Sequence, residues 1–128
     1  MGPQELLDVL KKYREMQIPV DCMVQDWQYW GTDYNSWNST EFGNPAYRDA
    51  KGMIDEVHRM NAHIAISVWP SFGKKTAIHK VFADKKMLLN FKTWSEQADV
   101  YDPFHPGARE IYWDNLSKHI FSLGMDAW

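Results

Sequence analysis

The side chains best suited to chemistry in this sequence are an aspartate and three tryptophans that follow two apolar runs. Asp26, Trp27 and Trp30 follow the first run, and Trp69 follows the second. An indole has a flat apolar face that can stack on the C–H face of a sugar ring, and a carboxylate accepts hydrogen bonds from its hydroxyls. These four residues are therefore candidates for binding a carbohydrate.

Other readings of the same residues stay open. Tyrosine, tryptophan and phenylalanine make up 15% of the 128 residues, with seven Trp, six Tyr and six Phe. Some of these exceed what one core needs, which favours a sugar site, but packing in the core is the alternative for each single tryptophan. For Asp26 the alternative is a helix N-cap or an ion pair in a loop.

The two apolar runs predict parallel strands, because a helical segment separates them. The run 18–25 contains β-branched and sulfur side chains and predicts a strand buried on both faces, with Cys22 as a small buried residue. The run 63–68 predicts a second strand. A crossover of this kind makes the strands parallel, so Asp26 and Trp69 are expected at the same edge, where parallel α/β folds bind ligands.

Apolar residues recurring every three or four positions predict three amphipathic helices. They cover residues 4–16, 45–60 and 106–123. Asn44 is expected to cap the start of the second helix, and Gly124 to end the third.

The connecting segment 31–44 is rich in Gly, Asn, Ser and Thr and predicts an exposed loop. Its two aromatic residues, Trp37 and Phe42, indicate ordered packing over an adjacent site, since loops of this length are usually functional or disordered. The triplet Asn38-Ser39-Thr40 matches a glycosylation acceptor, but so short a pattern also recurs by chance.

The segment between the second strand and the third helix has a weaker pattern. A helix over 76–87 and a short strand over 88–91 are both compatible with its apolar residues. Phe91 and Trp94 could pack locally or face a site.

Composition argues against several classes of partner. The chain has 14 basic and 17 acidic residues spread along its length, so no basic patch favours nucleic acid or anionic lipid. No window reaches the roughly 18 apolar residues of a membrane span. A single cysteine excludes an internal disulfide framework, and the five histidines lack the spacing of metal ligands.

Five blocks of the chain, in this order, resemble the catalytic barrel of glycoside hydrolase family 31. They are residues 18–31, 53–58, 66–70, 101–110 and 123–128. The form Gln-Asp-Trp-Gln-Tyr-Trp-Gly at 25–31 is more similar to the α-xylosidase members than to the starch-type α-glucosidases. The resemblance implies an α/β fold: a partial (β/α)8 TIM barrel with about three parallel β/α units.

The resemblance also implies an activity and a set of roles. Family members hydrolyse α-glycosides with retention, using two carboxyl groups about 5 Å apart and no cofactor. Asp26 matches the aspartate that binds sugar hydroxyls, Trp27 a position near the leaving group, and Trp69 an aromatic wall of the pocket, while Trp30 is placed nearby only by proximity. The nucleophile belongs to the strand that begins at Met125, beyond Trp128, and the acid/base comes later, so no catalytic residue is expected here.

Residues 1–128 are therefore expected to be a fragment of a catalytic domain whose substrate is an α-linked xyloside or glucoside. The fragment would supply sugar-binding residues but be inactive alone, and its unpaired strand edges predict self-association. A stand-alone carbohydrate-binding module and a protein-interaction module are the alternatives. The short final segment 125–128 favours the fragment, because a complete module should finish its sheet.

Overall fold

The computed structural model describes residues 2–90, 93 and 95–128; the predicted positions of Phe91 and Trp94 lie outside these ranges. The elements in chain order are α1 (Pro3–Glu15), β1 (Cys22–Gln25), α2 (Ala50–Arg59), β2 (His63–Ile66), β3 (Ser71–Gly73), α3 (Ala77–Asp84), β4 (Ala98–Val100) and α4 (Pro106–His119). Three 3₁₀ turns cover Tyr34–Ser36, Pro45–Tyr47 and Phe121–Leu123. No helix in these ranges is long and apolar enough to cross a membrane.

The strands β1 and β2 are parallel, as predicted, with Cys22 opposite His63 and Gln25 opposite Ile66. Ala127 extends this sheet through a single parallel bridge to Ala65. The predicted α/β class is therefore present. Where about three parallel β/α units were expected, the described residues show two paired strands and this one bridge.

The helices α1 and α2 cover one face of the parallel sheet. Their apolar residues recur every three or four positions, and Leu6, Leu10, Ile54 and Val57 have no exposed surface. They pack with Ile64 of β2 in the main hydrophobic core. This packing holds β1 and β2 against the two helices.

The other face of β1 is open in the described chain, which corrects two predictions. Cys22 is exposed and Val24 is 58% exposed, so β1 is not buried on both faces and Cys22 is not a small buried residue. Side chains alternate along a strand, and α1 and α2 cover only the side that Met23 and Gln25 face.

The segment between β2 and α4 forms a smaller layer that the sequence pattern did not predict. The strands β3 and β4 pair antiparallel, and α3 confirms one of the two readings of that segment. A second hydrophobic cluster lies beneath them; it contains Phe72, Ile78, Phe82, Tyr101 and Ala108. Leu88 makes only an isolated bridge to Tyr101.

The ends of two helices also differ from the prediction. Asn44 caps the 3₁₀ turn Pro45–Tyr47, and α2 starts later because Asp49 accepts a hydrogen bond from the Gly52 N–H at 3.0 Å. At the other end of the chain, α4 stops at His119 and a 3₁₀ turn follows. Gly124, with φ +103°, ends that turn in the left-handed region that favours glycine.

Candidate sugar-binding site

The ends of β1 and β2 bring Asp26, Trp27 and Trp69 to one edge of the sheet. The pairing continues one step beyond the strands, since the Ser67 N–H donates to the Gln25 carbonyl at 2.9 Å. Asp26 is exposed, and Trp27 and Trp69 are each 39% exposed. Two indoles and a carboxylate are therefore accessible at the edge where parallel folds bind ligands.

Trp37, from the loop 31–44, links the two exposed indoles. Its ring centroid is 5.0 Å from that of Trp27 and 5.4 Å from that of Trp69, with interplanar angles of 73° and 63°. Trp37 is fully buried, and its Nε1–H donates to the Ser71 hydroxyl at 3.1 Å. Edge-to-face contacts of this kind favour one arrangement of the rings, so Trp37 supports both indoles from beneath.

Trp30 lies in the main core rather than at the surface. It is only 4% exposed, and its ring lies 5.5 Å from Trp27 and 4.8 Å from Trp37. Its contacts steady Trp27, and it offers almost no surface to a ligand.

The loop is held in place by β3. The Gly73 N–H donates to the Trp37 carbonyl at 2.9 Å, and the Lys75 N–H donates to the Asn35 carbonyl at 3.0 Å. A Cβ at position 73 would overlap the Asn35 carbonyl oxygen and lie 2.7 Å from the Trp37 nitrogen, so only glycine fits there. The predicted ordered packing of this loop is therefore present.

Asp33 starts the 3₁₀ turn Tyr34–Ser36 that leads into Trp37. Its Oδ1 accepts hydrogen bonds from the Asn35 N–H at 2.9 Å and from the Asn35 side-chain amide at 3.0 Å. These bonds lower the pKa of the Asp33 carboxyl, and Lys75 adds to the effect. A residue of the loop, Asp33, therefore caps the turn Tyr34–Ser36 within the same loop.

The carboxylate of Asp26 makes no hydrogen bond or ion pair with any described residue of the chain, so its oxygens can accept bonds from a ligand. Below it, burial raises the pKa of the Tyr29 hydroxyl, and the nearby Tyr112 and Asp26 raise it further. Tyr29 therefore stays protonated and donates to the Ser67 carbonyl at 3.2 Å.

Three histidines make contacts with aspartates elsewhere in the fold. His58 and His63 both contact Asp126, at 2.8 and 3.3 Å, and His79 contacts Asp99 at 2.7 Å. In the described ranges, no three His, Cys, Asp or Glu side chains come together as metal ligands.

Comparison with known proteins identifies the family of this chain. Residues 2–128 match the model of the glycosyl hydrolases family 31 TIM-barrel domain. The chain belongs to glycoside hydrolase family 31. The family expected from the five sequence blocks is confirmed.

The relatives of this chain in family 31 include α-xylosidases. The chain is 36% identical to the α-xylosidase of Saccharolobus solfataricus over 124 residues, which are 97% of this chain and 16% of that protein. It matches the crystal structure of a family 31 α-xylosidase from Xanthomonas citri with a TM-score of 0.86 and 32% identity, over 99% of this chain and 15% of that one.

A third relative, a family 31 α-xylosidase from a soil metagenome solved with xylose, matches with a TM-score of 0.82 and 25% identity. That match covers 99% of this chain and 19% of the other. The chain thus spans less than a fifth of the length of each of these relatives. The expected similarity to α-xylosidase members is confirmed.

Two residues that organise this edge were not among the sequence candidates. Trp37 was read only as an ordered loop aromatic, and Asn38 only as a glycosylation acceptor. Their signal was the loop itself, which is long and places an asparagine directly after an embedded tryptophan.

Proposed function

We propose that this chain is the sugar-binding part of a retaining α-glycosidase barrel that cleaves α-linked xylosides. The observation that carries the proposal is the accessible edge formed by Asp26, Trp27 and Trp69 at the ends of two parallel strands. A flat apolar surface beside a carboxylate is the combination that recognises a pyranose ring.

Each residue then has a distinct task. Asp26 accepts hydrogen bonds from ring hydroxyls, and a charge-assisted bond of this kind fixes the orientation of the sugar. Trp27 lies toward the leaving group, and Trp69 forms a wall of the pocket. Trp30 and Trp37 set the positions of these two rings from the core.

The chemistry itself is assigned to carboxylates outside these 128 residues. A retaining mechanism needs a nucleophile and an acid/base about 5 Å apart, and the proposal places both in the remainder of the barrel. Support comes from the length of the relatives, of which this chain covers 16% in the Saccharolobus protein. The fragment alone is then expected to bind sugar without cleaving it.

Xylosides are favoured over glucosides because the relatives described above are α-xylosidases and one was solved with xylose. Xylose lacks the hydroxymethyl group of glucose, so a pocket that fits it closely discriminates by size.

The test compares 4-nitrophenyl α-xyloside with 4-nitrophenyl α-glucoside as substrates of the full-length parent protein. A higher kcat/KM for the xyloside, with an α-configured first product by NMR, is expected. A higher kcat/KM for the glucoside would overturn the assignment of the sugar, and a β-configured first product would overturn retention. If the parent protein hydrolyses neither substrate, the proposed glycosidase activity is wrong.

A further inference from the structure

Asn38 lies directly after Trp37 and is buried, with 1% of its surface exposed. Its φ is +53°, in the left-handed region that asparagine tolerates better than most residues. The carboxamide points into the protein, so the Asn38-Ser39-Thr40 triplet is not a surface glycosylation site in this fold. A buried amide must instead satisfy its polar atoms internally.

Both polar atoms of the Asn38 carboxamide have hydrogen-bond partners inside the protein. Nδ2 donates to the Trp69 carbonyl at 2.5 Å and to the Ser71 carbonyl at 3.1 Å. Oδ1 accepts from the Trp69 N–H at 3.1 Å. The Tyr29 hydroxyl lies 3.4 Å from Oδ1 and shares its single proton with the Ser67 carbonyl at 3.2 Å. Both N–H donors of the amide are therefore used, and its oxygen accepts one undivided bond, from the Trp69 N–H.

This network allows one orientation of the amide. The Trp69 N–H can only donate and the Trp69 and Ser71 carbonyls can only accept, so exchanging Oδ1 and Nδ2 would break the three bonds at once. Asn38 therefore holds both polar backbone groups of Trp69 in a fixed direction.

Fixing the Trp69 backbone matters because this residue carries an exposed side chain at the site. It lies three residues beyond β2, outside the regular strand, and 39% of the residue's surface is exposed. The Tyr112 hydroxyl adds a third bond to its backbone, donating to the Trp69 carbonyl at 3.0 Å. The backbone direction at Trp69 sets the angle at which its ring meets a ligand.

We propose that Asn38 is a positioning residue of the sugar site, which fixes the Trp69 backbone and thereby the angle of the exposed indole. Its role as a determinant of sugar affinity rests on the proposed function. The backbone hold itself rests on the hydrogen bonds alone.

Two tyrosine hydroxyls beside Asn38 and the Trp69 carbonyl keep their protons. Burial raises the pKa of Tyr29 and of Tyr112, so both hydroxyls remain donors.

The test is Asn38→Gly in the full-length parent protein, alone and combined with Trp69→Ala. Glycine adopts φ +53° without strain, so the variant removes the amide and spares the backbone. Asn61→Gly is the matched control, because Asn61 has the same φ of +53° but an exposed side chain in the turn after α2.

Asn38→Gly is expected to lower kcat/KM for the α-xyloside by about tenfold, mainly through KM, because a displaced pocket wall weakens sugar binding. Asn61→Gly should stay within about twofold of the parent. In the Trp69→Ala background, Asn38→Gly should cause no further loss, since the ring that it positions is already gone. An unchanged kcat/KM for Asn38→Gly, or losses that multiply in the double variant, would overturn the proposal.

A second readout separates this inference from the proposed function. In protein labelled with 5-fluorotryptophan, the Trp69 resonance, assigned with Trp69→Phe, should move in Asn38→Gly and stay in place in Asn61→Gly. If the parent protein hydrolyses no α-glycoside, a moved resonance still supports the backbone hold, and an unmoved one overturns it. Should Asn38→Gly fail to fold, Asn38→Asp, which loses both Nδ2 donors and keeps the acceptor, is judged by the same two criteria.

Discussion

The backbone of Gly73 lies directly against the carbonyl of Asn35, leaving no space for a side chain between β3 and the loop that carries Trp37. This contact joins the small antiparallel layer to the proposed sugar-binding edge, because the same strand residue donates to the Trp37 carbonyl at 2.9 Å. The position of the loop therefore depends on the absence of a side chain at Gly73.

Gly73→Ala is expected to destabilise the fold by about 2 kcal/mol, since a Cβ would have to displace backbone rather than a side-chain end. Gly107→Ala is the control: it lies in the first turn of α4, where a Cβ would meet only side-chain atoms at 3.3 Å or more. Urea unfolding followed by circular dichroism gives both values. Equal midpoints for the two variants would contradict the close approach.

Asp26→Asn is expected to lower kcat/KM for an α-xyloside by between about ten- and a hundredfold in the parent protein. The change keeps the shape of the side chain and removes the charge that strengthens bonds to sugar hydroxyls. The midpoint of thermal unfolding should not move, because Asp26 is exposed. Asp114→Asn, an exposed change on α4, should alter neither quantity. Unchanged kinetics in Asp26→Asn would remove its assigned role.

Trp27→Ala is expected to act mainly on sugar binding, by raising KM for the α-xyloside, and less on the stability of the fold. Trp27 is 39% exposed and contributes an accessible ring face. Trp113→Ala is a matched control, since Trp113 is 48% exposed and its ring contacts Phe121 and Trp128 instead of the site. Steady-state kinetics and thermal unfolding of both variants separate binding from folding. A KM that changes equally in the two variants would count against Trp27.

The residues that the sequence placed correctly are those fixed by short-range pattern and strand direction. Apolar runs marked β1 and β2, and their parallel pairing then placed Asp26 and Trp69 at one edge. The exposure of Val24 could not be read in the same way. An apolar run shows which residues can be buried, whereas burial depends on which elements cover each face.

The missed features depend on contacts between distant residues. Asn38 and Trp69 are 31 positions apart, and no local pattern links a loop amide to a strand end. The strands β3 and β4 have three residues each, too few for an alternating pattern to identify them. The second hydrophobic cluster and the hydrogen bonds between Asn38 and Trp69 were therefore visible only in the folded chain.

Self-association of the isolated 128-residue chain remains a prediction, and the open face of β1 is where we expect it. Val24 is 58% exposed on that face, and in the described residues β1 pairs only with β2. Val24→Lys should shift the chain toward monomer in sedimentation velocity, because a charge opposes burial of the face. Val81→Lys, on the exposed side of α3 at 37% exposure, is the control. If the unaltered 128-residue chain is monomeric at all concentrations, the prediction is wrong.

Asp126 is expected to give the fold an acid-sensitive component. Partial burial alone would raise the pKa of its carboxyl, but bonds from the Ile64 N–H, His58 and His63 outweigh it, so the pKa lies below the ordinary 3.8. A carboxyl with a lowered pKa in the folded state adds stability that is present above pH 3.8 and is lost as the pH falls through the lowered value. Asp126→Asn should therefore show a shallower loss of unfolding midpoint below that pH, while Asp114→Asn should follow the unaltered protein. Identical slopes for all three proteins would show that Asp126 has no such linkage.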